Sequence, residues 1–187
     1  MNAHMQALRR HGVSRSNREE LESLYEKTRG REWRTSSGWL TDLPLRQWFG
    51  VETTDGGEVV RLELGGNRLR GIMPNSLSSL TALRHLRLGN NQLSGSIPES
   101  VSSLTALRDL WLRDNQLSGS IPESLSSLTA LQGLRLDHNQ LSGSIPESLS
   151  SLTALQVLRL DYNQLGGEMR PFPGLLRVPG VSRVGWK

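Results

Sequence analysis

The chain has 187 residues, a formal net charge of +4 and no cysteine, with a pI of about 10.3. The absent thiols exclude disulfides, thiol catalysis and zinc–thiolate sites. The positive charge is nearly all arginine and forms no run of the kind that nucleic acid selects.

Only 5% of the residues are aromatic, so the core must come mainly from leucine. No apolar run approaches the ~18 residues of a membrane span. No Asn opens a glycosylation sequon, and the N-terminal residues lack the apolar stretch of a secretory signal. These features favour the cytoplasm, where disulfides are not needed.

In chain order, residues 16–30 come first, and they read as an amphipathic helix. Ser16 and Glu19 have the spacing of a capping box, Leu21, Leu24 and Tyr25 form an apolar stripe, and Gly30 is a stop. Trp33, Trp39, Trp48 and Phe49 follow. Large aromatics so close together point to the core of a small cap, although a stacking platform for sugars or bases uses the same residues. "GVETTDGGEVVRLEL" then reads as a hairpin turning at Asp55-Gly56-Gly57. Residues 1–58 are therefore expected to be an N-terminal cap.

A repeat dominates the rest. Val59, Leu83, Leu107, Leu131 and Leu155 are spaced 24 residues apart (83 − 59, and so on). Each opens a unit of the form L-x-x-L-x-L-x-x-N-x-L-x-G-x-I-P, and the last unit, ending near residue 170, is partial. In x-L-x-L-x the apolar residues alternate with variable ones, which is the period of a half-buried strand. One short strand cannot bury its face alone, but stacked units share a core as a parallel sheet. Asn67, Asn91, Asn115, Asn139 and Asn163 sit where the chain leaves that strand. There a side-chain amide can satisfy backbone groups of its own turn and the next, forming a ladder. Gly95, Gly119 and Gly143 suit tight bends, and Pro98, Pro122 and Pro146 open short helical turns. Leu104, Leu128 and Leu152 return apolar weight from the outer side. At about 1.5–3 kcal/mol per buried Leu, five such units form a core without aromatics.

The unit "LxxLxLxxNxLSGSIPxSLSSLTA" resembles the plant-type leucine-rich repeat of receptor-kinase ectodomains, polygalacturonase-inhibiting proteins and algal and stramenopile repeat proteins. The resemblance covers residues 59–169. It implies an α/β fold: a right-handed, horseshoe-shaped solenoid with a parallel sheet on its concave face and 3₁₀ turns on its convex face. "REELESLYEKTRGREWRTSSGWL" resembles the cap that precedes these repeats. Secreted plant members carry paired cysteines there, which this chain lacks; the resemblance nonetheless leaves extracellular residence open.

Because side chains alternate along a strand, the variable positions point outward from the sheet. One column reads Glu63, Arg87, Trp111, Arg135, Arg159. Others read Gly65, Gly89, Arg113, Asp137, Asp161, then Gly66, Asn90, Asp114, His138, Tyr162, and Arg61, His85, Asp109, Gly133, Val157. Stacked Arg135 and Arg159, about 4.8 Å apart, repel by roughly 1 kcal/mol in water, which Asp137 and Asp161 can offset. Trp and Arg dominate binding hot spots, so an exposed Trp111 between arginines argues for a docking face over a self-neutralising polar one. The expected partner-binding residues are Arg87, Asp109, Trp111, Arg113, Arg135, Asp137, His138, Arg159, Asp161 and Tyr162, with Trp111 as anchor.

The expected partner is a protein or peptide of acidic or mixed charge. The alternatives are an anionic oligosaccharide or polysaccharide-degrading enzyme, and a role as the sensor portion of a larger receptor-like kinase. No nucleic acid, membrane span, cofactor or metal is expected, and the chain is read as a monomer. Asp114, Asp137 and Asp161 could approach a cation, but solvated charges balancing arginine are the simpler reading. His85 and His138 are two units and a column apart, and no Ser, His and acid cluster marks an enzyme. Residues 171–187, rich in Pro and Gly, read as an irregular tail, or as a cap in which Leu175, Leu176 and Val178 cover the last repeat.

Overall fold

The computed structural model describes residues 17–166. Ser16, the first member of the expected capping box, and the expected tail at 171–187 lie outside the described residues. The first element is helix α1 (Asn17–Lys27), which buries Leu21 and Leu24 and ends before Gly30.

Eleven short strands follow, in two sheets. The first sheet holds β1 (Val51–Thr53), β2 (Val59–Glu63), β4 (His85–Arg87), β6 (Asp109–Trp111), β8 (Gly133–Arg135) and β10 (Val157–Arg159), in that order. β1 and β2 form the expected antiparallel hairpin, closed by Gly57 N–H donating to the Thr54 carbonyl. The other pairings are parallel and keep the repeat register, with Leu62, Leu86, Leu110, Leu134 and Leu158 side by side.

The second sheet was not expected. β3 (Arg70–Ile72), β5 (Gln92–Gly95), β7 (Gln116–Gly119), β9 (Gln140–Ser144) and β11 (Gln164–Gly166) pair in parallel across the "NQLSGS" segments. Partners there lie 22 residues apart rather than 24, as in Arg70 with Gln92 (92 − 70), so the second sheet is staggered by two residues per turn. Ser and Gly have little intrinsic preference for strands. The stacking of identical turns, rather than local propensity, creates this sheet.

Between the sheets run 3₁₀ turns such as Glu99–Ser103 and Glu123–Ser127, each opened by the expected proline. The leucines of both strands and of the turns fill one continuous core. The asparagine ladder is complete. Asn115 Nδ2 donates to the carbonyls of Leu88, Leu112 and Arg113, while its Oδ1 accepts the N–H of Leu93. Asn91, Asn139 and Asn163 repeat this arrangement. At the cap end, Asn67 exchanges two hydrogen bonds with the Thr35 backbone.

The cap closes the N-terminal end of the core. Trp33, Trp39 and Trp48 are buried and pack in series with Tyr25 in tilted and edge-on contacts, with neighbouring ring centroids 4.8–5.1 Å apart. Each indole N–H donates to a backbone carbonyl, of Thr28, Phe49 and Leu43 respectively. These tryptophans therefore serve the core, not a stacking platform. Helix α1 sits directly on the first repeat: Gly71 has φ 111°, and a β-carbon there would stand 2.3 Å from the Lys27 carbonyl oxygen.

Candidate functional site

The columns of Arg61 and Glu63 lie on the strands of the first sheet, and the other two on the turns that leave them; the two halves of this surface differ. The N-terminal half is closed by charge. Arg61 pairs with Glu52 at 3.0 Å and with Glu63 at 3.7 Å. Arg87 reaches Glu63 at 3.6 Å and Asp109 at 2.8 Å. His85 Nδ1 meets the same Asp109 oxygen at 2.8 Å. Burial pushes the Asp109 carboxyl up, but hydrogen bonds from Arg87 and His85 outweigh it and hold the group below its ordinary value. Arg87 and Asp109, both expected to meet a partner, are thus engaged with one another.

Trp111 departs from expectation. It is half-buried rather than exposed. The Arg87 guanidinium lies 3.9 Å from the ring centroid and that of Arg135 5.9 Å away, a cation–π contact on the nearer side. The indole Nε1 is buried and has no hydrogen-bond partner among the described residues. The ring lies close over Gly133, where a β-carbon would meet Nε1 at 3.0 Å. Only the absence of a side chain at 133 lets the indole settle this deeply.

The C-terminal half is more open. Arg135 approaches Asp137 at 3.4 Å, and Asp137 is itself buried, unlike the solvated charge expected. Arg113 lies 3.6 Å from Asp114. Arg159 and Asp161 form no ion pair among the described residues. Tyr162 is 70% exposed and stacks on His138 with centroids 4.2 Å apart. Asp137, His138 and Asp161 also bring potential ligand atoms within 4.8 Å of one another.

The His138–Tyr162 column has a distinctive backbone. Its members Gly66, Asn90, Asp114, His138 and Tyr162 all have φ between 53° and 65°. Gly enters this left-handed region freely, and Asn, Asp and His do so more readily than other residues, whereas a bulky side chain such as Tyr meets a steric penalty. The column is therefore least favourable locally at Tyr162.

A family model described as leucine rich repeat matches residues 58–117 and 112–165. The chain belongs to the leucine-rich repeat family. Among solved structures, the BIR2 ectodomain of Arabidopsis thaliana is 30% identical with a TM-score of 0.77, covering 83% of this chain and 84% of that one. The ectodomain of the Arabidopsis thaliana membrane receptor kinase GASSHO1/SCHENGEN3, in complex with CASPARIAN STRIP INTEGRITY FACTOR 2, is 33% identical with a TM-score of 0.81. That match covers 88% of this chain but only 20% of the receptor chain. A plant ice-binding protein is 29% identical with a TM-score of 0.74, covering 82% of this chain and 50% of that one. No curated protein matches the chain in sequence. Of these three structures, the receptor-kinase ectodomain is the one seen in complex with a partner. The first two are ectodomains, so the cytoplasmic expectation gains no support from them.

Sequence reasoning missed four contributors. Glu52, Arg61 and Glu63 help close the N-terminal network, and Gly133 houses Trp111. Arg61, Glu63 and Gly133 were visible as members of the columns, but their roles depend on which side chains lie across the strand.

Proposed function

We propose that the chain is a non-catalytic binding module that takes a protein or peptide of mixed charge on the concave face of the repeat sheet. The footprint lies on the C-terminal half, from Trp111 and Arg135 to Arg159, Asp161, His138 and Tyr162. One observation carries this reading: Tyr162 holds an unfavourable left-handed conformation and stacks on His138 in an exposed aromatic pair. Local strain is retained where surrounding structure enforces it, and it clusters at binding sites. The solenoid geometry fixes the backbone of this column, and Gly or Asn at 162 would fit it with less strain. Arg159 and Asp161 beside the aromatics, which form no ion pair among the described residues, supply charges of both signs. The receptor ectodomain seen in complex with CASPARIAN STRIP INTEGRITY FACTOR 2 is a neighbour of the same fold, which supports an extracellular setting and a signalling role.

Affinity capture from the source tissue with the wild-type chain, followed by mass spectrometry, would identify the partner. Tyr162→Ala and Arg159→Glu should each abolish its recovery, while Gln116→Ala, on the other sheet, should not. Equal recovery by Tyr162→Ala with a wild-type circular dichroism spectrum would remove this face from the proposal.

A second reading rests on a different surface. Ser79, Ser103, Ser127 and Ser151, with Thr81, Thr105, Thr129 and Thr153, form exposed columns of identical hydroxyls on the 3₁₀ side. A periodic array of this kind suits a periodic ligand, and one neighbour is a plant ice-binding protein. Ice recrystallisation in the presence of the purified chain separates the two readings. Inhibition lost in Thr105→Tyr and Thr129→Tyr would support the second, and wild-type crystal growth would dismiss it.

A further inference from the structure

We propose that Asp137, His138 and Asp161 form a binding site for a divalent transition-metal ion, with Zn²⁺ the best fit. The site goes beyond the partner-binding reading and does not rest on it.

The three groups come from two successive turns of the solenoid. Asp137 and His138 leave β8, and Asp161 leaves β10 one repeat later. Their ligand atoms lie within 4.8 Å of one another. His138 Nδ1 stands 3.6 Å from Asp137 Oδ2 and 4.0 Å from Asp114 Oδ1. These separations are too long for hydrogen bonds. They are close to what two ligands span on one ion, since metal–ligand bonds of about 2.0–2.2 Å at a tetrahedral angle place neighbouring donors roughly 3.4 Å apart. The imidazole Nδ1 faces the Asp137 and Asp114 carboxylates, and the Asp137 oxygen nearest to it also accepts a long hydrogen bond from Arg135. The imidazole makes no hydrogen bond among the described residues, and the Asp161 carboxylate likewise has no partner there.

The surroundings fix the donors as a metal site requires. Asp137 is buried, with a side chain only 5% exposed. The His138 ring is held in plane by the Tyr162 ring 4.2 Å away. Orientation of a metal-binding imidazole by its neighbours is a general feature of such sites. The backbone supports the cluster too: the N–H of His138 donates to the Asp161 carbonyl, tying the two turns together.

The donor set selects the ion. One imidazole nitrogen and two carboxylates suit zinc, whereas Ca²⁺ takes six to eight oxygens, which this cluster does not offer. Two carboxylates neutralise a divalent cation. Arg135, 3.4 Å from Asp137, opposes binding and makes the site weaker than a closed structural zinc site. Asp114 is placed to become a fourth ligand after a small movement. Otherwise the remaining coordination positions face solvent beside the exposed Tyr162.

Isothermal titration of the full chain with ZnCl₂ tests the site, with MnCl₂ and CaCl₂ as parallel arms. His4 and His11 are replaced by Ala in every sample to remove their imidazoles as competing ligands, while His85 is already engaged by Asp109. One saturable Zn²⁺ per chain is expected, with weaker uptake of Mn²⁺ and still weaker uptake of Ca²⁺. His138→Ala and Asp161→Asn should each weaken Zn²⁺ binding at least tenfold, while His85→Gln should leave it unchanged. A proton NMR spectrum should show the His138 ring signals moving on zinc addition. No saturable uptake, or uptake that survives His138→Ala in a folded chain, overturns the proposal. So does a preference for Ca²⁺, which would mark exposed carboxylates instead.

Discussion

Trp111 lies over Gly133: a β-carbon at 133 would stand 3.0 Å from the indole Nε1 and 3.0 Å from Asp109 Oδ1. The two residues are on neighbouring strands β6 and β8, where Asp109 pairs with Gly133 and Trp111 with Arg135. A contact this close leaves Ala marginal and leaves no room for a branched side chain. Gly133→Val is therefore expected to lift the indole away from the sheet. The Trp111 indole N–H resonance, assigned from its loss in Trp111→Phe, should move toward the frequency of a solvated indole. An unmoved resonance in Gly133→Val would mean that the ring is not seated there.

The asparagine ladder makes a second prediction. Asn139 is 9% exposed, its Nδ2 serves three carbonyls and its Oδ1 takes the Leu117 N–H. Asn139→Ala leaves several buried backbone groups without partners, each costing about 1–3 kcal/mol. A total loss of roughly 3 kcal/mol or more is expected from urea unfolding. Gln140→Ala, one residue on and exposed, should stay within about 0.5 kcal/mol of wild type. Equal effects of the two substitutions would refute the ladder as a source of stability.

What the sequence revealed follows from this contrast. The ladder and the leucine core were legible because each role repeats at a fixed spacing, so Asn91, Asn115 and Asn139 identify one another. The outward columns were legible because strand side chains alternate. The second sheet was not legible: "QLSG" has poor strand propensity, and only its stacked copies turn it into a strand. The state of Trp111 was hidden for a related reason. Its burial depends on a glycine 22 residues away (133 − 111) and on Arg87 from the preceding turn. The self-neutralisation of the N-terminal half also depended on long side chains reaching between columns, as Arg87 does toward Glu63 and Asp109.

Glu20 is a weakness in the cap. It is fully buried on α1, and neither carboxylate oxygen has a hydrogen-bond partner among the described residues. Burying a polar group without a compensating hydrogen bond costs at least about 1–3 kcal/mol by protein mutational measures. Glu20→Met retains a long unbranched side chain without the carboxylate. It is expected to raise stability by about 1 kcal/mol or more, read as a higher urea midpoint with an unchanged slope. A lower midpoint would show that Glu20 has a supporting role that its buried position does not reveal.

Asp109 ties the N-terminal network to pH. Burial raises its carboxyl, yet the hydrogen bonds from Arg87 and His85 prevail and lower it below its ordinary value. A group whose folded pKa is depressed binds its proton more readily in the unfolded chain. Its stabilisation is therefore complete above the unfolded value, about 3.9 for Asp, and is lost as pH falls through the folded value. Asp109→Asn removes the charge at every pH. The variant should be less stable than wild type at pH 7, and the gap should narrow below about pH 4, as the wild-type carboxyl takes up its proton. The other carboxylates titrate in both proteins, so they cancel to first order in the difference. Urea midpoints of the two proteins at pH 7, 5, 3 and 2 measure that gap. A gap that stays constant across this range would show that the Asp109 charge contributes nothing and that only the shape of its side chain matters.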